Sequence, residues 1–373
     1  MNQAENNTQS QVEPKKLSVI DISKRARQRL RSRQFTAART LFSEGLAVEP
    51  ENPYLLSGMG DACREIGDYK EAERCYSSLL EIDGDNLFAL RGLGDVYKKM
   101  SRHREALQLW DRYLALRPQD KFVMTRLADS CKALNLFDRA TTAYQQILAV
   151  AATDRFALSG LADLLHRQGK EQEAIDTYEK ILQLDPNEIH ILTIIGKLCW
   201  RVSDFGRAEE YFKRALQVEP KNTYALFGLG NCYRWQRQYA DALVPWEKIL
   251  LISAGTQALH TRMGDAYCHL YQLDEAEVSY KKSLEFGDDL FATAGLICLS
   301  CERKKWNFAA ECFAKLIAAS TDIADEIDIL VKRFIRLGKR EAMIEFFSYL
   351  LAHPAENQSV DDEIRKQLAQ LTL

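Results

Sequence analysis

Proline and glycine are scarce in this sequence, with 8 prolines and 18 glycines among 373 residues. Both residues interrupt regular helices, so their scarcity favours a helical chain over a fold made of many turns. Long apolar runs are also missing, since runs such as residues 147–152 fall far short of the roughly 18 residues that span a membrane. Residues 1–16 are polar and lack the apolar core of a secretory signal, so we expect a cytoplasmic protein.

Neither positive nor negative charge is in large excess, since the formal net charge is −3. Such a balance gives no general attraction to nucleic acid or to anionic lipid, and nucleic acid is not expected as a partner. Residues 1–33 differ, since they hold eight basic and three acidic side chains and so carry a local charge of +5. A basic helix that begins near Ser18 either binds an acidic partner, nucleic acid or membrane, or forms a solvated cap whose apolar residues dock on the following helices. The cap is the favoured interpretation.

The sequence also lacks the spaced motifs that catalytic and metal sites require. Its nine cysteines are odd in number and have no framework spacing, which predicts reduced thiols in the core. Cys298 and Cys301 form a lone CxxC, and no second CxxC or histidine pair follows to complete a zinc site. No HExxH, GxSxG or phosphate-loop lysine is present either. We therefore expect no catalysis, no cofactor and no metal.

The sequence does contain one unit that repeats every 34 residues. In the stretch Met59–Asp83 this unit has a small residue at Gly60, an alanine at Ala72 and an aromatic at Tyr76, and a proline closes many of its copies. The alanine recurs without a slip in eight copies, at Ala38, Ala72, Ala106, Ala140, Ala174, Ala208, Ala242 and Ala276. Two weaker copies follow around Ala309 and Ala342, which makes nine or ten repeats in all.

This pattern resembles the tetratricopeptide repeat. The resemblance implies an all-α, right-handed superhelical solenoid of stacked antiparallel helix hairpins, whose concave face is lined by the first helix of each hairpin. Physically, glycine or alanine lets two helices approach closely, the aromatic fills the gap to the next hairpin, and proline ends the second helix. We expect a disordered tail over 1–17, the solenoid over 18–356 and a capping helix over 357–373.

The resemblance further implies that five positions of each repeat face a groove, and three of these positions form columns. A mainly aromatic column either contacts a ligand or packs on the preceding helix. It reads Tyr54, Phe88, Phe122, Phe156, His190, Tyr224 and Ala258, and the next repeat offers Phe291. An aspartate column reads Asp61, Asp95, Asp129, Asp163 and Asp265. A basic column three residues further on reads Arg64, Lys98, Lys132, His166 and Arg234.

The aspartate and basic columns lie on one face of each first helix, so we expect them to pair within a repeat. Their role is then either a solvated ladder of weak salt bridges or a row of donors and acceptors for an extended peptide. The aspartate column is interrupted at Lys197 and Asn231, where basic and aromatic side chains gather. We call this the 197–235 stretch, and its candidate groove residues are Lys197, Trp200, Arg201, Tyr224, Phe227, Asn231, Arg234 and Trp235.

Arginine and tryptophan are the residues that most often anchor interfaces, which makes the 197–235 stretch the preferred ligand site over ordinary variation along a repeat array. The function that we expect is that of a non-enzymatic scaffold or adaptor, which binds a protein or peptide in the groove. The alternative is a structural protein whose repeats bind a second copy of the chain, giving a homo-oligomer.

Overall fold

A computed structural model describes residues 18–318, 322–353 and 358–372, and these residues form 21 α-helices and no β-strand. The chain divides into two compact units between Ile181 and Leu182. The all-α prediction of sequential helix hairpins is therefore confirmed, whereas the predicted disordered tail lies outside the described residues. Among the described helices, none is long and apolar enough to cross a membrane.

Unit 1 is a series of hairpins in which each of the first eight helices contacts the next one along the chain. First helices of neighbouring hairpins also contact one another, since the first helix of the chain contacts the third and the third contacts the fifth. The helices of unit 1 are α1 (Val19–Arg31), α2 (Phe35–Val48), α3 (Pro53–Ile66), α4 (Tyr69–Ile82), α5 (Leu87–Lys99), α6 (His103–Leu116), α7 (Lys121–Ala133), α8 (Phe137–Val150), α9 (Arg155–Arg167) and most of α10 (Glu171–Leu184).

Unit 2 continues the same series of hairpins, but near its end helices that are not neighbours in the series also contact one another. Its helices are α11 (Ile189–Arg201), α12 (Phe205–Val218), α13 (Thr223–Trp235), α14 (Tyr239–Leu250), α15 (Gln257–His269), α16 (Leu273–Glu285), α17 (Leu290–Glu302), α18 (Trp306–Ala318), α19 (Ile323–Arg336), α20 (Arg340–Ala352) and α21 (Gln358–Thr372). Helix α21 falls within the segment predicted to cap the stack, and it contacts α19 and α20.

Helix α17 takes part in these contacts and is apolar on every side. Its residues from Ala294 to Cys301 are all buried, including the pair Cys298 and Cys301. A helix without a polar face must be covered all round. It contacts α15, α16, α18 and α19 as the first helix of a repeat does, and α20 in addition. The added cover from α20 agrees with the apolar composition of α17.

Side-chain caps begin most of the first helices. Asn52 accepts hydrogen bonds from the backbone N–H groups of Tyr54 and Leu55, which satisfies donors that have no partner inside the helix. The same cap recurs at Asn86, Asp120, Asp154, Asn222, Thr256 and Asp289. This column has nearly the same spacing as the alanine column and marks where each hairpin starts.

The core confirms the predicted close approach of helices. Tyr76 is 1% exposed and lies between two glycines, Gly60 of its own hairpin and Gly92 of the next. A Cβ atom added at Gly92 would lie 2.4 Å from Tyr76 Cζ, closer than carbon atoms can pack. Gly60 and Gly92 are therefore packing positions inside helices, as the small residue of the repeat was expected to be.

The N-terminal helix and the cysteines agree with their predictions in most respects. Helix α1 contacts α2 and α3 and buries Ile22 and Ala26, but Ile20 is 66% exposed and does not dock. Ile20 lies on the solvent side of α1, two residues before Ile22. All nine cysteines are buried and free of disulfides. Burial raises the pKa of thiols such as Cys75, to about 12, so they are neutral core residues.

Candidate functional site

Tyrosine hydroxyls hold most members of the aspartate column. Tyr76 Oη donates to Asp61 Oδ1 at 2.7 Å, and Tyr144 Oη donates to Asp129 Oδ1 at 2.9 Å. Tyr178 and Asp163 repeat this contact in unit 1. In each case the tyrosine is the core aromatic of the same hairpin, fifteen residues after the aspartate. These carboxylates are therefore tied to the core as well as facing the predicted groove.

The basic column pairs mainly with the next repeat, not within its own. Lys98 Nζ lies 3.0 Å from Asp129 Oδ2, and Lys132 Nζ lies 3.6 Å from Asp163 Oδ2. Arg64 alone does both, at 3.4 Å from Asp95 of the next repeat and 3.6 Å from Asp61 of its own. The prediction of pairing within a repeat was wrong for the lysines. First helices stack side by side, so a long side chain reaches the aspartate of the neighbouring helix 31 residues on.

Unit 1 therefore carries a ladder in which tyrosines, aspartates and cations pair with one another. Asp95 belongs to the repeat whose core aromatic is Trp110, which has no hydroxyl, and it is paired with Arg64 and with Arg126 at 3.3 Å instead. Burial raises the pKa of Asp95 in spite of the two arginines. His166 Nδ1 lies 2.6 Å from Glu171 Oε2. These side chains are engaged with each other, which limits what they offer to a ligand.

The aromatic column is exposed in unit 1, and the alternative that it packs on the preceding helix does not describe it. Tyr54, Phe88, Phe122 and Phe156 are 71%, 64%, 69% and 80% exposed. In unit 2 Tyr224 and Phe291 are about half exposed, at 50% and 52%. Each of these rings follows the first residue of a first helix. They form a column of apolar contact area that is open to solvent.

The 197–235 stretch breaks the ladder by replacing both of its partners. Where Asp is replaced by Lys197, the core aromatic is Phe212, and where it is replaced by Asn231, the core aromatic is Trp246. Neither aromatic has a hydroxyl. Lys197 is exposed, whereas Asn231 is buried and its Oδ1 accepts from Arg262 Nη1 at 3.0 Å. The guanidinium of Arg262 also lies 4.6 Å from the centre of the Phe227 ring.

Three aromatic rings form a cluster that joins the C-terminal ends of α11 and α13 to the first residue of α12. Phe205 stacks on Trp235 with ring centres 5.8 Å apart, and Trp200 meets both rings edge to face at 6.1 and 6.5 Å. Trp235 is 45% exposed, so the cluster presents an indole to solvent. Trp200 Nε1 is buried without a hydrogen-bond partner. Arg201, at the end of α11, is exposed.

Phe205 was missed by sequence reasoning, although the sequence carries a signal for it. An aromatic opens the second helix in several repeats, at Phe35, Tyr69, Phe137, Phe205 and Tyr239. In unit 2 this position contacts the thirteenth residue of the next first helix. Phe205 packs on Trp235 in this way, and Tyr239 stacks on His269 at 4.1 Å. A comparison of the first residues of the second helices, which are 34 residues apart, would have added Phe205 to the candidate site.

Arg234 is the most unusual charge of the site. Its guanidinium is partly buried beside Trp235, 5.4 Å from the ring centre. Its Nε is buried and has no hydrogen-bond partner among the residues that the structure describes. Burial, and after it the neighbouring Arg262, lower the pKa of Arg234 to about 10. Within the described residues no group of three metal-ligating side chains occurs. The chemistry of this region is therefore that of buried cations and exposed rings.

Comparisons with known proteins point to the same repeat. Two tetratricopeptide-repeat family models match residues 51–119 with 154–220, and residues 195–258. No curated protein matches the chain.

Solved structures give three examples of similarity. A crystal structure of MamA is 26% identical over 44% of this chain and 95% of that one, with a TM-score of 0.41. YrrB, described as a TPR protein with an unusual peptide-binding site, is 18% identical over 50% of this chain and 95% of that one, with a TM-score of 0.43. A tetratricopeptide repeat protein from Parabacteroides merdae ATCC 43184 is 18% identical over 73% of this chain and 94% of that one, with a TM-score of 0.40.

Proposed function

We propose that this chain, which belongs to the tetratricopeptide-repeat family, is a non-enzymatic scaffold that binds a protein or peptide on the first helices of unit 2. Repeats of this family generally mediate protein–protein interactions. The observation that carries the proposal is the interruption of the ladder at Lys197 and Asn231. At this point in the array the half-exposed indole of Trp235 lies beside the partly buried Arg234.

The supporting physical argument concerns what a partner would gain. Covering Trp235 and Tyr224 removes apolar area from water at about 25 cal/mol per Å². Tryptophan, tyrosine and arginine also lose little flexibility when they are already packed, as Trp235 is against Phe205. The ladder of unit 1 offers fewer free polar atoms. The 197–235 stretch is therefore the place where contact with a partner is most favourable.

Photo-crosslinking on the full chain tests the proposal. A photo-reactive amino acid replaces Tyr224 on first helix α13 or, as the matched control, Val244 on second helix α14. The two positions are 50% and 52% exposed, so they differ in the face they occupy and hardly in accessibility. We expect a discrete adduct from position 224 that is absent from position 244 and is lost when Trp235→Ala is added.

Three outcomes are informative. Equal adducts from both positions, or none from position 224, would contradict binding on the first helices. An adduct of twice the mass of the chain would favour the alternative of self-association, which light scattering on the purified protein would check. An adduct with a different protein, dependent on Trp235, supports the scaffold.

A further inference from the structure

A buried ion pair in unit 2 joins repeats that are not neighbours. Arg333 on α19 donates through both terminal nitrogens to the carboxylate of Asp265 on α15, with Nη1 2.8 Å from Oδ2. Tyr280 Oη donates to the same carboxylate at 2.8 Å. The side chains of Arg333 and Asp265 are 4% and 8% exposed. Both oxygens of Asp265 are thus occupied from α19 and from the core.

This ion pair removes the partner that Arg234 would otherwise have. In unit 1, Arg64, Lys98 and Lys132 each pair with the aspartate 31 residues further on. The same spacing leads from Arg234 to Asp265, yet no ion pair between them is formed in the described structure. Arg234 is instead left with a buried, unpartnered Nε. A partly buried cation without its counter-charge is costly, which favours the uptake of an anion.

Two adjoining cavities of about 640 and 500 Å³ open at this point. Both are lined by Arg234, Asp265 and Arg336, and together they also include Arg237, Arg262 and Arg333. Arg336 is exposed and has no ion pair among the described residues. Arg262 is partly buried, and burial lowers its pKa. We call this space the arginine cavity.

The acidic residues of the arginine cavity do not neutralise it. Asp265 is taken up by Arg333, and Asp289 accepts hydrogen bonds from Thr261, Ser283 and the start of α17. Asp288 is exposed at the rim. Five arginines and three aspartates line the cavity, which leaves a net charge of +2. In the described part of the chain, no ion pair joins any of these aspartates to Arg234, Arg262 or Arg336.

We propose that the arginine cavity binds an oxyanion carried by a peptide, which is either the carboxylate of an aspartate or glutamate or a phosphorylated side chain. Guanidinium groups bind both oxyanions in planar, two-point geometry. The cavity walls also include Trp235 on one side and Phe291 on the other, which suits acidic residues flanked by apolar ones. This inference rests on the proposed function and names the ligand chemistry of the same face.

Fluorescence anisotropy with the full chain and three labelled peptides tests the inference. The first peptide alternates glutamate and leucine, the second carries phosphoserine in place of glutamate, and the third carries glutamine. The variant is Arg234→Gln with Arg262→Gln. The single variants Arg234→Gln and Arg262→Gln are measured as well. Their control is Arg167→Gln, at the exposed C-terminal end of α9 in unit 1, which changes the net charge by the same amount as each single variant. We expect at least one oxyanion peptide to bind, and the double variant to bind it about 10-fold or more weakly.

The control should bind as the wild type does, and the glutamine peptide should bind weakly to all forms. Arg336→Gln gives a second reading if the double variant loses helicity, because Arg336 is exposed and its loss leaves no buried gap. Equal binding of the glutamate, phosphoserine and glutamine peptides would overturn the inference, as would unchanged affinity in Arg336→Gln and in the folded double variant. The stronger of the two oxyanion peptides identifies the source of the charge.

The two proposals fail in different ways. If position 224 gives a Trp235-dependent adduct while the arginine variants bind the oxyanion peptide like the wild type, the scaffold stands and the arginine cavity is not its anion site. If arginine-dependent peptide binding occurs without any adduct from position 224, the cavity stands and the wider binding face is wrong.

Discussion

Tyr144 donates a hydrogen bond to Asp129 across its own hairpin, with 2.9 Å between Oη and Oδ1. The other oxygen of that carboxylate is paired with Lys98 of the preceding repeat. One side chain thus links the core of a hairpin to the stacking of two first helices. In this array the polar residues of the aspartate and basic columns in unit 1 are part of what holds neighbouring repeats together.

We predict that Tyr144→Phe destabilises the protein by about 1 kcal/mol, because the exchange removes a hydrogen bond to a partly exposed carboxylate. Asp129→Asn should cost a similar amount. The double variant should cost less than the sum of the two, since both remove the same contact. Urea unfolding followed by circular dichroism measures the three midpoints, and strictly additive shifts would contradict the coupling.

Much of the fold follows from the sequence because its causes are local and repeated. The alanine column and the aromatic at Tyr76 report direct contacts between helices that are adjacent in the chain, so their 34-residue spacing was enough to predict the hairpins. The fold at α19 was harder to predict. It depends on Arg333 meeting Asp265 over 68 residues and on the apolar surface of α17, which no repeat pattern encodes.

The interruption of the aspartate column was predictable from the sequence, but its contacts were not. The interruption at Lys197 and Asn231 is visible in the sequence. Its cause lies in a pairing between columns, because aspartate accompanies a tyrosine such as Tyr144 and disappears where the core aromatic is Phe212 or Trp246. Asp95 beside Trp110 is the exception, and two arginines compensate there.

Gly94 tests the close approach of helices. A Cβ atom at this position would lie 2.4 Å from Trp110 Nε1, and the fully buried indole has no space to retreat. Gly94→Ala should therefore destabilise the protein by about 1–3 kcal/mol, although alanine is the better helix former. Gly206→Ala on α12 is the control, since no atom lies closer than 4.0 Å to its added Cβ.

Thermal melting by circular dichroism compares the two alanine variants. The control should match or exceed the wild type in melting temperature, because alanine gains helix propensity without a clash. A Gly94→Ala protein as stable as the control would show that the two helices can separate at no cost, contrary to the packing described.

Ser101 tests the turn inside each hairpin. It has a φ of 61°, in the left-handed region that costs residues with a Cβ about 1–2 kcal/mol. Ser101→Gly should stabilise the protein by about 0.5–1 kcal/mol, once the greater freedom of glycine in the unfolded chain is subtracted. Gly67→Ala, at a φ of 91° in the preceding hairpin with open space around its Cβ, should have the opposite effect. Shifts of the same sign in urea midpoint would contradict this account.

His269 should contribute a pH-dependent part to stability. Burial lowers its pKa below 6.5, with Arg333, Arg237 and Lys339 acting in the same direction and Asp265 opposing them. The unfolded state then binds more protons than the folded state, so stability is lost as pH falls through 6.5 toward the folded pKa. The difference in urea midpoint between wild type and His269→Gln should therefore shrink from pH 7.5 to pH 5.5. A constant difference would mean that His269 does not titrate in this window.

A substitution of Arg333 tests whether anion binding in the arginine cavity requires the ion pair between Arg333 and Asp265. In Arg333→Met the carboxylate loses both of its arginine hydrogen bonds and becomes free to pair with Arg234, as aspartates do with the basic column in unit 1. We predict that the variant is less stable and binds the oxyanion peptide about 10-fold more weakly, although Arg234 and Arg262 are unchanged.

The double variant Arg333→Met with Asp265→Asn separates the two explanations of that loss. If Asp265 competes with the peptide for Arg234, then removing its charge restores anisotropy-measured affinity toward the wild-type value. If Arg333 itself holds the peptide, affinity stays low in the double variant. Restoration is expected, because Arg333 is 4% exposed and both of its terminal nitrogens are already bonded in the wild type. The cations that an anion can still neutralise are then Arg234, Arg262 and Arg336.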